Sequence, residues 1–347
     1  MTPVELSRTV LRAVRRAVDG GELSVSVPGS VGVGPPGPGG CGDYATNVAL
    51  RLAGPAGLPA LDVAEILRPH IGDEPGVAEV TVTGPGFLNI TLGGGAAAAL
   101  VDEVLNRGER YGYGDSLAGQ VVELRVPYDT RAEVVADTLV RIVATQGGRA
   151  EVRHGEPVNL RPVPAPEDPA PLGADAARWA LLYPASHDRP RISADHLLQR
   201  ESNPLFRVRY AHARCRALRR NAGALGFGVR MSGDVRAGGE VRGDGDGDGD
   251  PSGRLDDTAR GGADLLSVLA EYPHTLRLAA AHRAPDRLAR HLVGVADSLL
   301  LFQHLVLPLG DEKPSAAHRA RLALAEAAGT VLAGGLSLLG ISAPEYL

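Results

Sequence analysis

The chain has 347 residues, of which 44% are apolar and 22% charged, and its formal net charge is -5. This length suggests two or three domains with real cores, and the mild negative charge does not by itself indicate a nucleic-acid-binding protein. The two cysteines have no CxxC partner, so we expect no structural zinc site and, weakly, a reducing compartment. No apolar run reaches the roughly 18 residues of a membrane span, so we expect a cytoplasmic protein without a membrane partner.

The first 107 residues or so are typical of a small α/β domain. A helix is predicted first, because Leu6, Val10, Val14 and Val18 recur on one helical face. The predicted elements that follow are a strand at residues 23–27, a proline-rich loop at 32–42, a helix capped by Asp43 and ended by Gly54, a second helix at 61–71, a hairpin, and a closing helix at 95–112.

The hairpin holds the first candidate binding residues. Phe87 and Asn89 are two apart and share one face of the strand FLNITL, whereas Leu88, Ile90 and Leu92 take the core face. An exposed Phe beside an exposed Asn can stack on an RNA base and hydrogen-bond its edge. The alternative is that a neighbouring helix covers both side chains.

The middle of the chain, from about Tyr113 to Pro171, predicts one βαβ unit followed by a proline-rich linker. The strand VVELRV leads through the loop PYDT into a helix that begins near Thr130, and a second strand follows near residue 150. Strand, loop and helix in this order often open a nucleotide-binding domain. This loop has no glycine, histidine pair or lysine, and a complete doubly wound sheet does not fit in the segment.

The rest of the chain is predicted to be helical. Helices are expected from GADAARW onward, in one or two pieces around residues 192–223, and at 263–272, 285–306 and 316–339. The Gly- and Asp-rich segment 239–255 is predicted to be a disordered insert. It lacks the glutamate that a calcium-binding loop needs at its twelfth position, so calcium binding is not expected.

The strongest local charge lies in SNPLFRVRYAHARCRALRRNAG. Eight arginines and one acidic residue lie between Arg200 and Arg230. Five residues recur at helical spacing and predict a buried stripe: Val208, Ala211, Cys215, Leu218 and Ala222. Five arginines lie mostly off the stripe, and Tyr210 is one turn before the second of them: Arg207, Arg214, Arg216, Arg219 and Arg220. Arginines with a tyrosine on an exposed helix favour an RNA surface, and the alternative is a helix whose arginines are paired with acidic neighbours.

Together these motifs resemble arginyl-tRNA synthetase. CGDYATNVALRLA, VAEVTVTGPGFLNITL and NRGERYGYGD look like that family's N-terminal additional domain, and GADAARW looks like its exit from the catalytic core. NPLFRVRYAHAR, LLSVLAEYP and LSLLGISAPEYL look like its DALR-type anticodon-binding domain. The resemblance implies three parts: an N-terminal domain at 1–112, a remnant of the class I catalytic domain with its linker at 113–171, and a helical anticodon-binding-like domain at 172–347.

The resemblance also implies roles for particular residues. Phe87 and Asn89 match the positions that contact the D-loop of tRNA in the family, and Tyr210, His212 and Arg214 match part of its anticodon-contacting helix. The family's C-terminus approaches the anticodon, so the resemblance also implies an RNA contact for Tyr346. The predicted partner is therefore tRNA, with arginine tRNA as the first candidate. A full-length synthetase or an enzyme that uses aminoacyl-tRNA is a further expected partner, and DNA is not expected to bind.

The middle of the chain departs from the family pattern. The HIGH-type and KMSK-type motifs that hold ATP are absent, HIGD at His70–Asp73 lies at the end of a predicted helix, and Lys313 is the only lysine. Without these groups, nothing neutralises charge on the transferring phosphates. The sequence therefore predicts no catalytic residue, no cofactor and no metal, and a non-catalytic relative that binds tRNA or a tRNA-like RNA. The alternatives are a protein-interaction module without RNA binding, and a residual enzyme of the aminoacyl-tRNA type with Asp129 and Arg131 as its candidate residues.

Overall fold

The computed structural model describes residues 3–34, 36–37, 41–93, 95–229 and 252–347. The chain divides into two compact units, Met1–Leu100 and Val101–Leu347. The mixed fold class is confirmed: unit 1 is α+β, and unit 2 joins a βαβ element to a helical bundle. The predicted three-part division stays a prediction, and the structure places its second and third parts in the same unit.

Unit 1 packs three helices against a small antiparallel sheet. The helices are α1 (Pro3–Asp19), α2 (Val48–Ala56) and α3 (Ala60–Gly72), and α4 (Gly95–Arg107) begins where the sheet ends. The sheet has the order β1-β2-β4-β3, with β1 at Val33–Gly34, β2 at Tyr44–Thr46, β3 at Val77–Thr83 and β4 at Phe87–Leu92. Leu6, Val10 and Val14 of α1 are fully buried in its core, which confirms the first predicted helix.

Two predictions in unit 1 were wrong. Residues 23–27 form no strand, and the segment after Asp43 enters the sheet as β2 before α2 begins at Val48. Tyr44 and Thr46 are buried against β4, so tertiary pairing overrides the helical preference of this stretch. Asp43 caps no helix; its carboxylate accepts a 2.7 Å hydrogen bond from the amide of Leu92.

The HIGD sequence lies where the sequence analysis predicts. His70, Ile71 and Gly72 form the end of α3, and Asp73 is its C-cap. The His70 Nε2 atom is 3.0 Å from the Glu22 carboxylate, so the imidazole makes a local ion pair. This confirms the interpretation of HIGD as a helix terminus.

Unit 2 begins with the predicted βαβ element. Strands β5 (Val121–Val126) and β6 (Arg149–His154) pair in parallel across α5 (Thr130–Thr145). Asp129 caps α5, because its carboxylate accepts a 3.0 Å hydrogen bond from the amide of Ala132. The remaining helices are α6 (Ala174–Leu182), α7 (Pro204–Ala224), α8 (Ser252–Ala281), α9 (Pro285–Phe302) and α10 (Ala316–Leu339).

Helix α8 is longer than predicted. The sequence analysis ends it before Pro273, because proline has no amide hydrogen for the carbonyl four residues earlier. In the structure the hydroxyl of Tyr111 donates a 3.1 Å hydrogen bond to that carbonyl, on Leu269, and the helix continues to Ala281. Residues 252–255 of the predicted insert are the first residues of α8, and its residues 239–251 lie outside the described residues.

One described helix, α10, is long and apolar enough to cross a membrane by length and composition. Most of its apolar side chains are buried against other parts of unit 2, among them Leu322, Val331, Leu332 and Leu336. The core helix of a globular bundle has the same composition, so this helix is weak evidence for a membrane span.

Candidate nucleic-acid interface

Helix α7 is the element that positions most of the predicted contact residues. Asn203 caps it, because its side-chain oxygen accepts a 3.1 Å hydrogen bond from the amide of Leu205, and Pro204 follows as the first helical residue. All five residues of the predicted stripe are buried, which confirms it. Gly329 of α10 lies so close to Cys215 that a side chain there would come within 2.9 Å of its Cβ. The burial of one face leaves the arginines on the other.

Several of these arginines are paired within unit 2. The Arg207 guanidinium lies 3.0 Å from the Asp297 carboxylate, and Arg216 lies 3.8 Å from Glu345. The Nε of Arg214 donates a 2.6 Å hydrogen bond to the side-chain oxygen of Gln303. The structure thus favours the paired-helix alternative for much of the charge, and an RNA phosphate has to compete with these intramolecular partners.

Tyr210 is the exposed aromatic of α7. Its residue exposure is 38%, and its ring stacks on that of Phe206 one turn earlier, with centroids 5.5 Å apart. Phe206 therefore restricts the tyrosine ring and leaves its outer part free in the described structure. A ring held in this way can stack on a base with little loss of conformational entropy.

The segment after α10 lies along α7. Gly340 ends α10 in the left-handed conformation, with φ 73°, and the chain then turns so that Ser342 hydrogen-bonds the carboxylate of Asp175. Two residues further on, the carbonyl of Pro344 accepts a 2.9 Å hydrogen bond from Nδ1 of His212. Tyr346 places its ring beneath the guanidinium of Arg220, at 4.3 Å.

His212 is not accessible for RNA contact as the family resemblance suggests. Only 2% of the residue is exposed, and burial lowers its pKa, so the imidazole is neutral near pH 7. Because a carbonyl oxygen only accepts hydrogen bonds, Nδ1 carries the proton and faces Pro344. In this structure His212 therefore holds the C-terminal segment against α7.

Three features form what we call the α7 surface: Tyr210, the Arg220–Tyr346 pair and the partly exposed Arg216. Tyr346 is 69% exposed, and the Arg216 side chain is 41% exposed. An arginine held over an aromatic ring presents both a charge and a stacking plane. The sequence placed Arg220 off the buried stripe but did not predict its pairing with Tyr346, since the two residues are 126 positions apart and no local pattern connects them.

In the hairpin of unit 1, Phe87 is exposed and Asn89 is buried. Phe87 is 40% exposed at the start of β4, directly after the turn at Gly86. Asn89 is only 2% exposed, because β4 is a central strand that pairs Asn89 with Thr81 on one side and Ala45 on the other. Its amide nitrogen donates a 2.6 Å hydrogen bond to the Thr83 hydroxyl. The expected exposed Phe–Asn pair is thus corrected to an exposed Phe87 on a strand that Asn89 braces.

Gly86 allows the hairpin to present Phe87. Its φ is 128°, which L side chains rarely adopt, and a side chain there would come within 2.8 Å of the Ala60 carbonyl oxygen. The turn therefore packs directly on the start of α3, and the phenyl ring extends from a fixed backbone.

The PYDT loop offers no favourable place for a phosphate, and the described residues contain no candidate metal centre. Within those ranges, no group of three or more His, Cys, Asp or Glu side chains is placed to hold a metal ion. In the PYDT loop Asp129 occupies the N-terminus of α5, and Glu133 lies in its first turn. Both carboxylates oppose binding of a phosphate at this helix end.

Two family models match the chain. Residues 7–92 match the arginyl tRNA synthetase N-terminal domain, and residues 208–347 match the DALR anticodon-binding domain. Phe87 and Asn89 lie in the first match, and Tyr210, His212, Arg214, Arg216 and Tyr346 lie in the second. By these two domains, the chain resembles proteins of the aminoacyl-tRNA synthetase class.

The curated relatives that match this chain are arginine–tRNA ligases. Arginine–tRNA ligase from Renibacterium salmoninarum is 41% identical over 160 residues, which cover 42% of this chain and 29% of the relative. The enzyme from Frankia alni is 38% identical over 157 residues, which cover 42% of this chain and 28% of the relative. The chain is therefore an arginyl-tRNA synthetase-like protein with that family's N-terminal and DALR-type domains, as the motifs predicted, and the match spans less than a third of these relatives' length.

Solved structures agree on the fold. Arginyl-tRNA synthetase from Thermus thermophilus superposes with a TM-score of 0.59 at 15% identity, over 100% of both chains. The Plasmodium falciparum enzyme superposes with a TM-score of 0.65 at 9% identity, over 99% of both chains. At these identities the likeness concerns the fold alone.

Proposed function

We propose that this protein is a non-catalytic relative of arginyl-tRNA synthetase that binds tRNA or a tRNA-like RNA in the cytoplasm. The observation that supports it best is the α7 surface, where Tyr210 and the Arg220–Tyr346 pair lie exposed on a helix of the DALR anticodon-binding domain. Stacking planes combined with arginines suit unpaired RNA bases. Delivery, sequestration and sensing of tRNA are all compatible with such a surface.

A titration of the purified protein with arginine tRNA and with an unrelated tRNA, each at two salt concentrations, tests RNA binding. We expect tighter binding of arginine tRNA, and binding that weakens as salt rises, because phosphate contacts release counterions. The salt dependence should be moderate, since Arg207 and Arg216 have intramolecular partners. No binding to either tRNA at low salt would contradict the proposal and favour a protein-interaction module.

Absence of catalysis has its own test. ATP–pyrophosphate exchange with arginine, with and without arginine tRNA, is expected to stay at the level of a blank reaction, because Asp129 and Glu133 occupy the helix end where the phosphates would lie. A full-length arginyl-tRNA synthetase under the same conditions is the positive control. Turnover clearly above the blank would contradict the proposal.

The residual-enzyme alternative has lost one of its candidate residues. Arg131 is 1% exposed, and all five of its N–H groups donate to backbone carbonyls of unit 2. A guanidinium in this state has no donor left for a substrate. The geometry therefore supports a structural role for Arg131, and Asp129 acts as the cap of α5.

A further inference from the structure

A cleft of about 710 Å³ opens in unit 2 between the loop at 185–187, the C-terminal half of α8 and the first turns of α9. None of the residues that line it belongs to the predicted RNA contacts. Its polar lining consists mainly of hydrogen-bond donors and cationic groups: Ser186, His187, Thr275, His282, Arg287 and Arg290, with His291 beside them.

His291 lines this cleft, and one of its ring nitrogens has no hydrogen-bond partner among the described residues. Its Nδ1 lies 3.3 Å from the Thr275 hydroxyl, whereas its Nε2 is buried and has no hydrogen-bond partner in the described structure. Burial lowers the pKa of His291 to about 4, so the imidazole is neutral near pH 7 and carries one proton. When the Thr275 hydroxyl donates to Nδ1, that proton is on Nε2, which is then a donor in need of an acceptor.

The charges around the cleft also favour an anion. Arg287 is exposed and forms no ion pair with any described residue. The lining has a single acid, Asp286, which lies 3.5 Å from Arg290. Helix α9 begins here at Pro285, and the Asp286 carboxylate in its first turn opposes an anion at the helix end itself, so the attraction has to come from side chains. An arginine that forms no ion pair with a described residue and an imidazole with one unpaired ring nitrogen thus line the same cleft.

We propose that this cleft is a binding site for the phosphate group of a phosphorylated ligand, held by Arg287, Arg290 and His291. A phosphate offers several acceptor oxygens, which suits guanidinium and imidazole donors that approach from different elements. The volume leaves room for a nucleoside as well as the phosphate. The ligand is either a free nucleotide or a phosphate of bound RNA, and the two sources share this chemistry.

The loop at 185–187 is held rigidly enough to serve as one wall. The carbonyls of Pro184, Ala185 and Asp188 all accept hydrogen bonds of 2.7 to 3.0 Å from Arg131. The same arginine binds the carbonyl of Leu181, so the loop is anchored to the end of α6. Preorganised walls reduce the entropy lost when a ligand binds.

Binding of inorganic phosphate, AMP and adenosine, measured by calorimetry at low salt, tests this site directly. We expect AMP and phosphate to bind and adenosine to bind at least about tenfold more weakly than AMP, because the charged hydrogen bonds are lost. Arg287→Ala and His291→Phe should each weaken AMP binding by about tenfold or more. Arg161→Ala is the matched control, since Arg161 is an exposed arginine of unit 2 that pairs with Glu156 and does not line the cleft.

The outcomes separate this site from the proposed tRNA binding. Equal binding of AMP and adenosine, or no loss in Arg287→Ala relative to Arg161→Ala, would overturn the phosphate site whatever the tRNA result. Because Arg287 is exposed, its replacement should leave the fold intact, and circular dichroism checks this. Arg287→Ala therefore still tests the site if the His291→Phe variant is unstable. Competition between tRNA and AMP would assign the site to an RNA phosphate, and simultaneous binding would assign it to a free nucleotide.

Discussion

Replacement of Arg131 by alanine is expected to lower the free energy of unfolding of unit 2 by about 3–5 kcal/mol, because buried carbonyls lose their donor and a large buried side chain is removed. Arg131 joins α5 to five carbonyls, on Val163, Leu181, Pro184, Ala185 and Asp188, at 2.7 to 3.0 Å. Alanine leaves these carbonyls without their donor and opens a cavity between α5 and the loop. Burial lowers the pKa of Arg131, whereas the Asp129, Asp188 and Asp286 carboxylates oppose that shift.

Unfolding of unit 2 can be followed by the fluorescence of a single tryptophan. Trp179 is the only tryptophan of the chain; it is fully buried in α6, two residues before the Leu181 carbonyl that Arg131 binds. Its fluorescence in urea therefore reports unfolding of unit 2. Arg131→Lys, which offers three donors instead of five, should fall between wild type and alanine. Arg161→Ala should change little, and an equally small effect of Arg131→Ala would contradict the anchoring role.

Replacement of Tyr210 by alanine is expected to weaken tRNA binding by about 1–3 kcal/mol, the usual range for loss of one stacked base. This corresponds to roughly 5- to 140-fold in the dissociation constant. The ring is exposed and held against Phe206, so its removal deletes a stacking plane and buries no unsatisfied group. Phe87→Ala in unit 1 should have an effect in the same range, because that ring is likewise exposed on a fixed strand.

Tyr128→Ala is the control for the tyrosine. Tyr128 is 86% exposed, more than any other large apolar or aromatic side chain described as exposed, and stacks on His154 in the βαβ element instead of lying on α7. The Tyr128→Ala variant should bind tRNA as tightly as the wild type does. If Tyr210→Ala and Phe87→Ala also bind like wild type, neither family surface is used, and the search should turn to protein partners.

Local sequence signals predicted much of the fold correctly. Asp129 and Pro127 mark the loop before α5, the stripe from Val208 to Ala222 marks the buried face of α7, and the Pro85–Gly86 pair marks the hairpin. These features depend on residues within one or two turns of each other. The end of α8 was misplaced because the hydroxyl that satisfies the Leu269 carbonyl comes from Tyr111, more than 150 residues earlier.

The candidate site was only half predictable for a similar reason. Composition and spacing single out Tyr210 and Phe87 as surface aromatics, and both are exposed. Spacing also placed Asn89 at the surface and the family resemblance implied an exposed His212, and the structure buries both. Burial of Asn89 depends on the strands that flank β4 on either side, and burial of His212 depends on the segment around Pro344.

The sequence by itself therefore determined most of the helices, the hairpin and the βαβ element, the buried face of α7, and the resemblance to arginyl-tRNA synthetase, since each of these depends on short-range patterns or on motif order. Only the tertiary structure decided which charges are free. Whether an arginine of α7 is paired depends on Asp297, Gln303 and Glu345, which lie about 90 to 130 residues away along the chain. The same holds for Arg131, whose five acceptors are backbone carbonyls that no side-chain pattern encodes.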